Sequence, residues 1–188
     1  MSDRPPPLEA PARAERRVSS LVVVHTGDGK GKTTAAMGIA MRAVGHGERV
    51  AVVQFMKSGR WASGERLTAE RLGIDWAVLG DGFTWDSEDL EGAAAIAREA
   101  WSTAAGTIAG GAHDVVILDE ITYPMNWGWI ETNAVVAALR ARPEHVSVVL
   151  TGRDAPETLV AVADTVSRTS VTKHAFDDGI AALRGIDF

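Results

Sequence analysis

The chain has 188 residues, 46% of them hydrophobic and 23% charged, a balance ordinary for one globular domain with its own core. A formal net charge of −6 argues against nonspecific binding to nucleic acid or an anionic membrane, and no apolar run reaches the roughly 18 residues of a membrane span. The absence of cysteine excludes disulfides, zinc–thiolate sites, iron–sulfur ligation and thiol nucleophiles, and is compatible with a reducing, cytoplasmic setting.

Residues 1–18 carry prolines, alternating charges and small residues, with no apolar core of a signal peptide. They read as a flexible tail, with ordering over a ligand as the alternative. From Ser19 onward, apolar β-branched runs alternate with helix-like stretches. Leu21–Val24, Val50–Phe55, Val115–Leu118 and Val146–Leu150 have the continuous apolar character of strands buried on both faces, and Ile74–Leu79 and Thr165–Val171 are weaker strand candidates. Thr33–Val44 and Ser87–Ile108 are alanine-rich and predict helices. Glu131–Ala141 has helical spacing and stops before Pro143, and Asp154–Val162 suits a further short helix. The alternation predicts one α/β domain over residues 19–188, a mostly parallel sheet with helices on both faces. There is no internal repeat.

The segment after the first strand reads TGDGKGKTTAA, Thr26–Ala36. A buried strand enters this loop and a helix leaves it, which aims backbone N–H groups and a positive helix terminus at phosphate oxygens. Gly27, Gly29 and Gly31 let the peptide wrap an anion. Asp28 lies between the first two, Lys30 adds a positive charge, and Lys32 can reach phosphate oxygens. Thr33 can offer its hydroxyl to Mg²⁺, with Thr34 beside it in the helix. The strict pattern G-x-x-x-x-G-K-[ST] asks for glycine where this chain has Thr26, which weakens a pattern match without changing the physics.

A phosphate loop needs an acidic partner on a neighbouring strand, and VVILDE supplies one at Asp119 and Glu120. Either acid can hold Mg²⁺, directly or through water, or orient a nucleophile. No N-K-x-D motif is present, which leans towards ATP. Arg153, in the TGR after the strand Val146–Leu150, falls at the same carboxyl edge and can touch phosphates, or can be an ordinary surface arginine. Gly80–Asp86, GDGFTWD, presents Phe83 and Trp85 two residues apart, either as a core plug or as an apolar wedge beside a flat ligand. Tyr123–Trp129, YPMNWGW, suits core packing or a dimer surface, and Lys57–Arg66 reads as a surface or active-site loop. The histidines lack metal-binding spacing, and His174 reads as structural.

Several segments resemble one family in order: TGDGKGKTTAA, RAVGHG, VVQFMK, GER, GFTW, VILDEITY, ALRARPEH, TGR, TKHAFDDG and GIDF. This is similar to the P-loop ATP:cob(I)alamin, or corrinoid, adenosyltransferases, from Leu21 to Phe188. The family itself carries threonine before GxGKGKTT. The resemblance implies a P-loop NTPase-type, RecA-like fold that holds ATP in reversed sense. The 5′-deoxyadenosyl group passes to cobalt of a reduced corrinoid, and inorganic triphosphate leaves. It further implies Thr33 and Glu120 as Mg²⁺ ligands with Asp119 as the alternative behind them, and Lys32 on the leaving phosphates. Arg42 and Arg153 would be nucleotide contacts, and Phe83 and Trp85 the wedge that displaces the lower axial ligand of cob(II)alamin. A reduced flavoprotein electron donor and a homodimer are also implied. Two other classes use the same loop: a small-molecule kinase releasing ADP, and a corrinoid-binding module without turnover.

Overall fold

The computed structural model describes residues 17–56, 63–78 and 90–187. Six strands form one sheet: β1 (Val22–Thr26), β2 (Val50–Gln54), β3 (Asp75–Val78), β4 (Val115–Asp119), β5 (Ser147–Thr151) and β6 (Thr165–Arg168). Their order is β3-β2-β4-β5-β1-β6, and every neighbouring pair is parallel. The phosphate-loop strand β1 and the acidic strand β4 are therefore not neighbours, because β5 lies between them.

Parallel strands need crossover connections, and the helices that provide them cover both faces. On one side lie α1 (Lys32–Gly45) and α2 (Gly64–Arg71), whose Ala36, Ala40, Ala43 and Ala69 pack on Val52, Ile117 and Val149. On the other lie α3 (Leu90–Gly110), α4 (Thr122–Asn126), α5 (Thr132–Ala141) and α6 (Glu157–Val160). There Ala100, Ala104, Ile108 and Leu139 pack against Val24, Val116, Leu118 and Leu150. Successive strand residues thus serve opposite cores: Val116 and Leu118 face one, Val115 and Ile117 the other. Each such fully buried aliphatic side chain contributes about 1.5–3 kcal/mol. Alanines at helical spacing on α1 and α3 let backbone and sheet approach closely, so the fold is the α/β architecture anticipated from the alternating pattern.

Four differences from the sequence reading have local causes. β1 runs two residues further than Leu21–Val24 suggests, because Thr26 is wholly buried and its hydroxyl accepts the Ala155 N–H at 3.1 Å. β6 stops at Arg168 because Thr169 turns onto the phosphate loop, donating its N–H to the Thr26 carbonyl at 2.8 Å. The helix α2 was not anticipated. Of the stretch read as the loop Lys57–Arg66, residues 57–62 lie outside the described residues, while Ser63 caps α2 by accepting the Arg66 N–H at 3.3 Å. α4 was not anticipated either; its Pro124 stands in the first turn, where a missing N–H costs nothing. His174 has the structural role expected of it, its Nδ1 accepting the Phe176 N–H at 3.1 Å to open a short 3₁₀ turn.

Candidate functional site

The loop between β1 and α1 is shaped by close approaches. Gly27 and Gly31 have φ of 99° and 102°, in the region that favours glycine. A Cβ on Gly27 would stand 2.2 Å from the Thr169 carbonyl oxygen, and one on Gly29 would stand 2.7 Å from that of Ser170. The chain leaving β6 therefore forms the outer wall of the loop, joined to it by Gly29 N–H donating to Thr169 O at 3.2 Å and Thr169 Oγ1 donating to Gly29 O at 3.0 Å. Gly31 opens α1 without a side-chain cap, and the first turn holds no acidic residue. Its unpaired N–H groups and the positive end of the helix thus face the loop uncompensated, as an anion site requires.

Lys32 donates to the Gly29 carbonyl at 2.7 Å, folding its ammonium back over the loop. Burial lowers its pKa below the ordinary lysine value, and the Arg153 guanidinium acts in the same direction. Glu120, Asp28 and Asp119 oppose them. Those influences gather Asp28, Lys32, Asp119, Glu120 and Arg153 around one point at the carboxyl edge of the sheet. Burial, then Glu120, raises the pKa of Tyr123 at the same edge, which keeps its phenol protonated.

Asp119 is fully buried and accepts three side-chain hydrogen bonds. Thr33 Oγ1 donates to its Oδ1 at 2.9 Å, Thr151 Oγ1 to the same oxygen at 2.7 Å, and Gln54 Nε2 to Oδ2 at 2.8 Å. The Thr33 bond joins the phosphate loop to the acidic strand across β5. Thr151 serves both acids, since its oxygen also accepts the Glu120 N–H at 2.9 Å. Glu120 itself has φ of 63°, a left-handed conformation uncommon outside glycine. Arg153 is held through its carbonyl, which accepts from Thr122 Oγ1 at 2.5 Å and Asn126 Nδ2 at 3.3 Å. Gly152, at φ 140°, has no room for a side chain, because a Cβ would lie 2.0 Å from Thr122 Oγ1.

The structure thus brings Gly27 to Thr33, Asp119, Glu120 and Arg153 together, with Thr34 in the first turn of α1. Arg42 is not brought there. It stands in the last turn of α1, ten residues and about 15 Å along the axis from Lys32, where a cation complements the helix dipole. Phe83 and Trp85 lie outside the described residues, as do residues 1–16. Sequence reasoning missed Gln54 and Thr151. The available signal was a lone amide inside the apolar run VAVVQF and a hydroxyl at the end of VSVVL. Among the described residues no cluster of three histidines, cysteines or carboxylates forms a metal cage. The donors present are instead the hard oxygens of Thr33, Asp119 and Glu120, which suit a Mg²⁺ held mainly by substrate phosphates and water. A cavity of about 430 Å³ between α1 and α2 shares only Thr34 with this site.

A glycine loop opening a helix, a lysine folded over it and a threonine bonded to an acid two strands away define a nucleotide-binding protein of the P-loop type. The match to the family model of ATP:corrinoid adenosyltransferases BtuR/CobO/CobP covers residues 19–188. The chain is 45% identical to a corrinoid adenosyltransferase of Escherichia coli K12 over 95% of its own length and 89% of the relative's. It is 43% identical to the corrinoid adenosyltransferase CobA of Salmonella typhimurium over 100% and 94%, and 41% identical to a Pseudomonas aeruginosa corrinoid adenosyltransferase over 95% and 87%. The chain belongs to the ATP:corrinoid adenosyltransferase family.

Proposed function

We infer that this chain transfers the 5′-deoxyadenosyl group of ATP to the cobalt of cob(I)alamin or a related reduced corrinoid, releasing inorganic triphosphate, in cobalamin biosynthesis or salvage. The observation that carries this reading is the Thr33–Asp119 hydrogen bond, which closes the phosphate loop onto the acidic strand in a chain of this family. The cobalt electron pair attacks C5′, the cobalt–carbon bond forms, and the C5′–oxygen bond breaks with its electrons leaving on triphosphate. Negative charge then grows on oxygens that the loop N–H groups, Lys32 and Arg153 are placed to meet. Mg²⁺, when bound, supplies further charge neutralisation on the phosphates. Thr33 would hold it through the oxygen whose proton goes to Asp119. Asp119, with both oxygens already accepting, fixes that hydroxyl, and Glu120 is the remaining acid for a direct or water-bridged contact.

Phe83 and Trp85 are assigned the removal of the lower axial ligand of cob(II)alamin, which makes the cobalt easier to reduce by a reduced flavoprotein. A homodimer in the cytoplasm is the expected form, and no helix among the described residues is long and apolar enough to cross a membrane. Anaerobic incubation with chemically reduced cob(I)alamin, ATP and Mg²⁺ tests the reaction. Light-sensitive adenosylcobalamin and triphosphate should appear in equal amounts. ADP formed with an acceptor would sink the transfer reading in favour of a kinase, and bound ATP without product would favour a binding module. Phe83→Ala should abolish the four-coordinate cob(II)alamin spectrum while leaving ATP affinity close to that of the parent chain. An unchanged spectrum would remove the wedge assignment.

A further inference from the structure

The phosphate loop carries two lysines, and they have different partners. Lys32 is folded onto the Gly29 carbonyl, whereas Lys30 reaches out of the loop to the carboxylate of Asp187. The other oxygen of that carboxylate accepts the Leu183 N–H at 2.8 Å, and the Asp187 N–H returns to the Leu183 carbonyl at 2.8 Å. A turn over residues 183–187 therefore presents Asp187 to the loop as a preformed anion.

The segment carrying it is lightly attached. After β6 it passes the loop at Thr169 and Ser170. Val171, Phe176, Ile180, Leu183 and Ile186 are then exposed by between 46% and 77%. Beyond Ser170, among the described residues, Lys30–Asp187 is the side-chain hydrogen bond that ties this segment to the rest of the chain. Gly185 and Ile186 line the cleft between α1 and α2 that also reaches Thr34. The lysine is half-exposed, so the pair is weakly held and open to exchange with a stronger anion.

We propose that Asp187 is a carboxylate latch on the phosphate loop: it occupies Lys30 while no polyphosphate is bound, yields to one that arrives, and returns as inorganic triphosphate leaves. This rests on the reading of the loop as a triphosphate site. A carboxylate and a polyphosphate compete for one ammonium, and the polyphosphate, with several charges, prevails on entry. After the adenosyl group has gone, the tethered carboxylate shortens the residence of the product by claiming Lys30. Asp187 is thereby a positioning residue that acts on product affinity through Lys30.

The sign of the effect separates a latch from a structural contact. Calorimetric titration of the full chain with inorganic triphosphate and Mg²⁺ at low salt should give a Kd about three- to tenfold lower for Asp187→Asn than for the parent chain. Asp187→Ser gives the same readout should the asparagine variant fail to accumulate, and Asp187→Glu should restore the parent value. In a Lys30→Ala background the same Asp187→Asn change should have almost no effect. Weaker or equal binding in the Asp187→Asn chain overturns the latch, as does undiminished tightening without Lys30, which would signify repulsion independent of the pair. Failure of the parent chain to bind triphosphate at all would overturn the loop reading and the latch with it.

Discussion

Lys32→Ala is expected to lower kcat/KM for adenosyl transfer by about 10²- to 10³-fold, with triphosphate affinity falling alongside. The lysine is the charged side chain folded inside the loop, on the Gly29 carbonyl, so no neighbour can take its position. Arg153 acts on Lys32 electrostatically, and its main chain is held through its carbonyl by Thr122 and Asn126, outside the loop that Lys32 occupies. Stopped-flow measurement of adenosylcobalamin formation checks the rate, and a loss below tenfold would show that the loop N–H groups and the other charges carry the leaving group without Lys32. The sign of the Lys32 pKa shift adds a second readout. Burial lowers the pKa, so in the nucleotide-free chain the ammonium is lost at a lower pH than for an exposed lysine. Phosphate affinity should accordingly begin to fall on the alkaline side before ordinary lysines titrate.

Asp119→Ala should destabilise the fold by about 3 kcal/mol, whereas Asp119→Asn should stay within about 1 kcal/mol of the parent and still lose about 10- to 100-fold in activity. Alanine leaves the buried Thr151 hydroxyl and Gln54 amide, and the half-buried Thr33 hydroxyl, without their shared acceptor. Asparagine can keep all three contacts. Its oxygen accepts from Thr33 and Thr151, and its amide donates to Gln54 once that side chain turns its own oxygen inward. What asparagine cannot supply is the negative charge behind Thr33. Urea denaturation and turnover measured on the same preparations separate the two roles, and an asparagine variant as unstable as the alanine one would refute this account of the hydrogen bonds.

Most of the sheet was legible because parallel strands covered on both faces are near-continuous apolar runs, as LVVV, VAVV, VVIL and VVL are. The loop was legible because glycines, lysines and a hydroxyl stand at fixed offsets between a strand and a helix. Features that depend on distant pairing were not. Thr26 departs from the strict loop pattern because a strand position facing Ala155 has use for a hydroxyl, a reason lying 129 residues away. Gln54 and Thr151 become site residues only when β2 and β5 are set on either side of β4. Arg42, whose place in a matching segment suggested nucleotide contact, is carried by the rise of α1 to the far end of the helix from Lys32.

The φ of 63° at Glu120 bears on how sequences of this fold should be read. A left-handed backbone at a residue with a long side chain costs on the order of 1 kcal/mol or more, and glycine or asparagine would relieve it. On the proposed role of Glu120 at the phosphate site, conformational preference and chemistry pull in opposite directions at position 120. A chain optimised only for persistence against heat or denaturant would drift to glycine there, giving up its carboxylate with no sign of damage in its folding. The identity of this one residue, set against an otherwise intact phosphate loop, distinguishes a chain kept for its chemistry from one kept for its shape.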